Sequence, residues 1–308
     1  RVHEVSDQFD LYWNSEWVYP LAAFAPEQPL TQAQIEAFRA ESAAFVESAG
    51  SSRYAQVLRE LEMSQMQSLG EFDFNWSEWM LAYDQPSKVD AGEVTSATHL
   101  APKLATGMER TREELIIVSP YFVPGKELTA YLVGLVDSGV RVRILTNSLQ
   151  ANDVSLVHAG YMRYRKDLVA GGVTLYEFKA AAHEAEGKYR KQRSRIGASS
   201  SSLHAKLFGF DQRYIFVGSF NLDPRSIALN TELGAYFESP ELAQAHSDVF
   251  ESDVLAIAYR VELNEDGKIE WVTMEDGELR REPKEPDTTA WKRFSTRFLS
   301  LIVPESLL

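Results

Sequence analysis

The sequence contains no cysteine, which excludes disulfide bridges and thiolate metal sites. It also lacks an excess of positive charge, because 31 Lys and Arg face 45 Asp and Glu, a formal net charge of −14. That balance weighs against broad, sequence-independent binding to nucleic acid, which requires many cations to neutralise phosphates. No run of 18 apolar residues occurs, so no segment is expected to span a bilayer. What is present, 44% apolar and 25% charged residues, is ordinary for a globular protein.

The first 90 residues are predicted to form a helical segment. An apolar helical spacing already begins at residue 2, without a preceding methionine or signal-peptide pattern, so we expect that material upstream is missing. Thr31 is the predicted N-cap of a helix over residues 31–48, and a further helix is expected over 52–67. The aromatic stretch DFNWSEWMLAYDQPSK is expected to pack against the next domain, with lipid contact as the alternative.

Residues 91–260 alternate between helical and strand patterns. Buried strands such as LIIVSPYF, VRVRILTN and VTLYEF are separated by amphipathic helices, which predicts parallel pairing. The expected fold class is therefore α/β, a mixed β-sheet flanked by helices, with the helical segment ahead of it.

Residues 261–308 are predicted to complete the chain with a hairpin turning at Asp266 and Gly267, followed by an amphipathic helix. In that helix cations alternate with the apolar residues Trp291, Phe294, Phe298, Leu299, Leu301 and Ile302. A helix docked on the domain is preferred; an interfacial helix that dips into lipid headgroups is the alternative.

The stretch LHAKLFGFDQRYIFVGSFN, residues 203–221, predicts two strands joined by a turn at DQR. Alternate residues of a strand share a face, so His204 and Lys206 are expected to project side by side. The turn would bring Gly218, Ser219 and Asn221 back toward them. Imidazole can attack phosphorus or protonate a leaving alkoxide, and lysine and amide groups can hold the charged non-bridging oxygens. The combination is suited to a phosphodiester.

The complete pattern H-x-K-x4-D-x6-G-S-x-N resembles the signature of the phospholipase D superfamily. The continuation RSIALNTELG and the stretches IIVSPYFVPG and DGKIEWV are similar to one branch of it, the bacterial cardiolipin synthases. This resemblance implies the phospholipase D-like fold, and transfer of a phosphatidyl group from a phospholipid, such as phosphatidylglycerol, to an alcohol acceptor. It implies neither a metal nor a cofactor, because lysine and asparagine stabilise the charge.

Members of that branch carry two copies of the motif, whereas this sequence carries one. The resemblance therefore implies the second half of a longer enzyme, with His204 as acid/base and the nucleophilic histidine supplied by an N-terminal half or a homodimer partner. It also implies a peripheral location on the bacterial cytoplasmic membrane. Two other functions stay open: a nuclease-type phosphodiesterase, which the net charge disfavours, and an inert half that only dimerises or docks.

The other candidate site residues are expected to have structural, hydrogen-bonding or substrate-contacting roles. Asp211 belongs to the motif but is expected to be structural, because aspartate is favoured in turns for local backbone hydrogen bonds. Glu232 is expected to accept a hydrogen bond from His204, while Ser219 either donates to phosphate or shapes the turn. The candidates for substrate contact, mostly at or after strand ends, are Tyr121, Asn147, Asp153, His158 and Gly218. The basic loop GKYRKQRSRIGASSSS either attracts anionic headgroups or is simply solvated.

Overall fold

The computed structural model describes residues 2–24, 29–50, 74–180, 202–252, 254–275 and 277–304. The helix expected over 52–67 and the basic residues of the loop at 187–202 lie outside these ranges. The chain divides into two compact units, one comprising Arg1–Trp13 with Ser77–Leu308 and the other Asn14–Trp76.

Strands and helices alternate through the larger unit. The described residues contain the strands β1 (Glu78–Tyr83), β2 (Glu114–Val118), β3 (Arg141–Asn147), β4 (Thr174–Phe178), β5 (Leu207–Phe210), β6 (Tyr214–Gly218), β7 (Leu233–Glu238), β8 (Ala258–Leu263), β9 (Ile269–Glu275) and β10 (Glu278–Glu282). The α-helices are α1 (Val2–Trp13), α2 (Gln32–Gly50), α3 (Ala101–Arg110), α4 (Gly125–Asp137), α5 (Ser155–Tyr161), α6 (Arg165–Ala170), α7 (Pro224–Ala228), α8 (Pro240–Ser252), α9 (Val254–Ile257) and α10 (Ala290–Ile302).

All ten strands form one sheet in the order β1-β7-β6-β5-β2-β3-β4-β8-β9-β10. The central strands β2, β3 and β4 are parallel, and the other neighbours pair antiparallel. Along β2, Leu115 and Ile117 face one apolar cluster with α3 and α4, while Ile116 and Val118 face another with α8 and α9. Helices thus cover both faces of the sheet, which confirms the predicted α/β class with a mixed sheet.

The hairpin at residues 203–221 is confirmed as the pair β5–β6. Phe210 lies opposite Tyr214, and the N–H of Arg213 donates to the Phe210 carbonyl at 3.0 Å. Asp211 and Gln212, between them, both have positive φ angles of 50° and 52°. Two consecutive left-handed residues are what a type I′ turn requires, and its twist matches that of the flanking strands.

The predicted N-cap of helix α2, Thr31, is also confirmed. The side chain of Thr31 accepts a hydrogen bond from the N–H of Gln34 at 3.3 Å, and the Gln34 side chain accepts one from the Thr31 N–H at 2.9 Å. This reciprocal pair is a capping box. The smaller unit, Asn14–Trp76, also contains a 3-10 helix at Leu21–Phe24.

Three features differ from the sequence expectations. The segment 1–90, expected to be helical, contains the edge strand β1, whose partner β7 lies far along the chain. The single helix expected after β3 is split into α5 and α6, with Arg163 in the break donating to the Ser300 carbonyl of α10 at 2.6 Å. The boundary expected at residue 260 falls inside β8.

Candidate active site

One edge of the sheet gathers most of the predicted site residues. It contains the carboxyl ends of the parallel strands β2 and β3, and because β5 runs antiparallel to β2, the start of β5 also lies there. The end of β6 and the start of β7 reach the same edge, since Gly218 is paired with Gly234. A ligand-binding edge at the carboxyl ends of parallel strands is typical of α/β sheets.

His204 and Lys206 lie just before β5 at this edge. The Nζ atom of Lys206 lies 3.4 Å from each ring nitrogen of His204 and donates to the His204 carbonyl oxygen at 2.9 Å. The imidazole is exposed, whereas Lys206 is only 8% exposed. The two side chains therefore meet as predicted, with a sheltered cation beside an accessible imidazole.

Carboxylates surround the sheltered ammonium group. Burial lowers the pKa of Lys206, and the charges of Glu232, Asp223 and Asp153 act in the opposite direction. Burial likewise raises the pKa of Asp223, although its carboxylate accepts the N–H of Ser226 at 2.8 Å. The edge therefore combines a partly desolvated cation with a partly desolvated acid, an arrangement found often at functional sites.

Asn221 lies on the segment that leaves β6. Its neighbour Leu222 forms a parallel bridge with Phe122, after the end of β2, and donates its N–H to the Ser119 hydroxyl at 3.0 Å. Asn221 is 8% exposed, and its side-chain oxygen has no hydrogen-bond partner in the part of the chain that the structure describes. Because buried polar atoms are normally paired, this amide is a candidate for ligand contact.

Tyr121 and Asp153 meet beside this edge. The Tyr121 hydroxyl donates to the Asp153 carboxylate at 2.9 Å. Burial, together with this hydrogen bond, raises the pKa of Tyr121 to about 12, so the phenol stays protonated at neutral pH. Both residues were predicted to contact substrate. Asp153 lies close enough to Lys206 for its negative charge to act on the ammonium group, which links this pair of residues to His204 and Lys206.

Asn147 holds the backbone just ahead of His204 and Lys206. Its amide nitrogen donates to the Leu203 carbonyl at 3.1 Å, and its oxygen accepts the Leu203 N–H at 2.9 Å. The side chain is fully buried. Asn147 thus fixes the segment that carries His204, and its contact with substrate stays a prediction.

Glu232 differs from expectation, whereas Ser219 takes one of the two roles expected of it. The Glu232 carboxylate accepts the Ser226 hydroxyl at 2.8 Å and a short hydrogen bond from the Ser219 hydroxyl. Within the described residues, the hydrogen bonds of the Glu232 carboxylate go to these hydroxyls and not to His204. Ser219 in turn accepts the Leu233 N–H at 3.0 Å, so it fastens the turn instead of facing a phosphate.

Gly218 serves strand packing. A Cβ atom there would lie 2.5 Å from the Leu233 carbonyl oxygen and 2.8 Å from the Gly234 Cα, both backbone atoms. The absence of a side chain lets β6 and β7 approach closely at the end of the hairpin. Its contact with substrate stays a prediction.

Two predicted residues lie away from the cluster. His158 is fully buried, its ring packs edge-on against Tyr161 at 5.3 Å, and its Nε2 lies 3.6 Å from a Glu285 carboxylate oxygen. Asp211 lies at the opposite end of β5, where its carboxylate accepts the backbone N–H groups of residues 112–114 at 2.8–3.1 Å. Asp211 is structural as expected, but it anchors the start of β2 rather than its own turn.

The sequence analysis missed a buried ion pair behind the site. Lys88, in the stretch YDQPSK, donates to Asp84 at 2.8 Å and to the Ser226 carbonyl at 2.8 Å. The Asp84 carboxylate also accepts the N–H of Glu232 at 2.7 Å. The pair thereby fixes the backbone on both sides of the Glu232 carboxylate. In the sequence the pair is visible only as an Asp and a Lys four residues apart around a proline. The same local pattern is typical of a turn exposed to solvent.

Metal-binding clusters and membrane-spanning helices are the next features of interest. Among the described residues, no three His, Asp or Glu side chains are grouped so as to hold a metal ion. No helix in the same part of the chain is long and apolar enough to cross a membrane.

Comparisons with known proteins identify related chains. Residues 104–254 match the family described as cardiolipin synthase, PLD-like domain. The whole chain is 38% identical over 315 residues to cardiolipin synthase C of Escherichia coli (strain K12), covering 64% of that protein. An uncharacterized protein of Helicobacter pylori (strain ATCC 700392 / 26695) is 30% identical over 226 residues, 72% of this chain and 42% of that protein. The chain thus spans less than two thirds of either relative.

Among solved structures, phosphatidylserine synthase of Haemophilus influenzae Rd KW20 is similar with a TM-score of 0.49 and 17% identity. The likeness covers 83% of this chain and 53% of that one.

Proposed function

Because the chain belongs to the phospholipase D superfamily, through the cardiolipin synthase PLD-like domain at residues 104–254, we propose that it transfers phosphatidyl groups between alcohols. The donor would be a phospholipid such as phosphatidylglycerol and the acceptor an alcohol. Hydrolysis would follow where water reaches the site. We place the chain peripherally on the bacterial cytoplasmic membrane, where such a donor resides. The observation that carries the proposal is the exposed His204 imidazole beside the sheltered Lys206 ammonium, at one sheet edge with the unpartnered Asn221 amide oxygen.

Each group has a role in the proposed reaction. A nucleophilic histidine nitrogen forms a bond to phosphorus as the bond from phosphorus to the headgroup oxygen breaks, and His204 donates a proton to that oxygen. The acceptor alcohol then loses its proton to His204 and attacks phosphorus, and the phosphorus–nitrogen bond breaks. Lys206 and Asn221 would hold the non-bridging oxygens, whose charge must be stabilised in both transition states.

The nucleophile must come from a second motif. Of the six histidines, only His204 is followed by lysine two residues later. The second histidine would therefore be supplied by another copy of this chain or by a first catalytic half outside this sequence. A homodimer would place two copies of His204 across one substrate, one as nucleophile and one as acid/base.

The test is turnover of phosphatidylglycerol in mixed micelles by the chain, by His204→Ala and by His3→Ala. His3 is an exposed histidine on α1 and serves as the matched control. We expect activity per chain to rise with chain concentration, His204→Ala to lower it at least ~10³-fold, and His3→Ala to leave it unchanged. Cleavage of single-stranded DNA in place of lipid would overturn the proposal, whereas an inert chain at every concentration would overturn the homodimer and leave a first catalytic half as the source of the nucleophile.

A further inference from the structure

The C-terminal helix α10 has two different faces. Thr289 caps its start by accepting the Lys292 N–H at 3.1 Å, and Thr296 on the inner face is 1% exposed. That face packs on α5, and just beyond the helix Val303 joins the cluster of Val123 and Val157. The helix is therefore docked on the domain, as the preferred expectation had it.

The outer face of α10 carries large apolar side chains that remain exposed. They recur at the helical spacing i, i+3, i+7, i+10 and i+11, are 54–83% exposed, and are Trp291, Phe294, Phe298, Leu301 and Ile302. One continuous stripe of this kind is the pattern of a helix that lies in a membrane interface. We refer to these five residues as the outer stripe.

Charge distinguishes α10 from α2, another helix with exposed aromatic side chains. α10 contains three cations and no acidic residue, although the chain as a whole carries a net charge of −14. Arg297 is exposed and lies one turn from both Phe294 and Leu301, so it shares the outer stripe. α2 also exposes two aromatic residues, Phe38 and Phe45, but carries three glutamates and one arginine. An anionic surface would therefore attract α10 and repel α2.

Residues beside the candidate site contact the chain just beyond α10. Tyr121, which donates to Asp153, packs against the same cluster as Val303 at the end of α10. Directly after Asp153, the exposed Val154 and Leu156 extend the apolar surface at the start of α5. A lipid whose tails contact this surface would have its phosphate at the sheet edge.

We propose that the outer stripe, together with Val154 and Leu156, is the surface by which the chain rests on an anionic phospholipid bilayer. The inference deepens the proposed function by naming the part of the fold that faces the lipid. It commits to lipid rather than to a protein partner because α10 carries three cations and no acidic residue, and because its end lies near a site proposed to act on phospholipid.

Vesicle binding tests the surface independently of catalysis. Sedimentation with vesicles of phosphatidylglycerol and phosphatidylcholine would compare the unmodified chain with Phe294→Ser/Phe298→Ser and with Phe38→Ser/Phe45→Ser as matched control. Removing two interfacial aromatic side chains should weaken binding by at least ~10-fold, whereas the α2 control should leave it unchanged. Arg297→Glu should weaken binding to these vesicles by ~10-fold or more, and by less when salt is raised.

Insertion of the helix has its own readout. Brominated lipid should quench part of the tryptophan emission of the unmodified chain, and this part should disappear in Trp291→Phe. Equal weakening by the α2 control, or undiminished binding by Phe294→Ser/Phe298→Ser, would overturn the inference. Far-ultraviolet circular dichroism establishes that each variant is folded. A chain that binds through α10 but cleaves single-stranded DNA in place of lipid would overturn the proposed function alone, and lipid turnover with binding independent of α10 would overturn this inference alone.

Discussion

Substitution of Lys88 offers a direct test of how the site is supported. Lys88 and Asp84 are 1% and 0% exposed, and their charges meet at 2.8 Å. Besides Lys88, the Asp84 carboxylate accepts the N–H of Leu100 at 2.5 Å and of Glu232 at 2.7 Å. The variant Lys88→Met keeps most of the side-chain volume and removes the cation, so a buried carboxylate loses its counterion.

The expected cost follows from that uncompensated charge. Removing one partner of a buried pair destabilises a protein by about 3–5 kcal/mol, because the remaining ion stays desolvated. For a domain of roughly 150–250 residues this lowers Tm by about 6–20 °C. The second variant Asp84→Asn, made in the Lys88→Met background, removes the orphaned charge and retains an amide oxygen as acceptor. The double variant should therefore be more stable than Lys88→Met alone, with a coupling energy of about 1–3 kcal/mol.

Urea unfolding followed by circular dichroism measures these free energies, with Lys268→Met as control. Lys268 pairs with Asp266 at 3.3 Å, but both side chains are exposed, so its loss should cost within about 0.5 kcal/mol. A cost for Lys88→Met no larger than that of Lys268→Met would refute the reasoning. A double variant no more stable than the single one would show that the loss comes from packing and not from charge.

Three further outcomes are expected. Gly234→Ala should destabilise the fold by about 1–3 kcal/mol, because the new Cβ would meet the Phe216 ring at 2.2 Å. Gly134→Ala, which has open space around it, should stabilise α4 by roughly 0.5–1 kcal/mol. Equal changes in the free energy of urea unfolding for the two variants would contradict this reasoning. Burial lowers the pKa of His246 to about 4, below its ordinary 6.5, so the neutral ring favours folding above pH 6.5 and this contribution is lost as the pH falls toward 4. His246→Leu should flatten the stability profile across that window by up to about 3 kcal/mol, and an unchanged slope would argue against a buried ring. Asp211→Ala leaves backbone N–H groups at the start of β2 without an acceptor and should cost about 1–3 kcal/mol in the same assay, and an unchanged free energy of unfolding would contradict the anchoring role.

Much of the fold could be predicted because its signals are local. The capping box at Thr31, the hairpin around Asp211 and the three parallel strands each follow from a few neighbouring residues. β1 was missed because its burial depends on pairing with β7, which short-range periodicity does not encode. β10 is exposed along its whole length, so it lacks the apolar alternation that identifies a strand.

The candidate site was predicted in part for the same reason. The alternation of side chains along an extended segment brings Lys206 to the His204 ring without any tertiary information. The partners of Glu232, by contrast, are set by the turn that brings Ser219 and Ser226 to one carboxylate. His158 is buried beside Tyr161 of the same helix and beside Glu285, which lies far along the chain. Spacing along the chain does not reveal either arrangement.

The motif itself divides between the two ends of one hairpin. His204 and Lys206 lie at the edge where the parallel strands end, whereas Asp211 lies at the other end and fixes the start of β2. Asn147 holds the backbone at Leu203, so the segment carrying His204 is fastened ahead of the strand as well as along it. Because a strand transmits position along its length, the carboxylate of Asp211 can set where the imidazole lies without touching it. The motif therefore contains residues that hold the hairpin in position as well as groups that could react. This explains why it includes an aspartate whose carboxylate contacts only backbone at the opposite edge of the sheet.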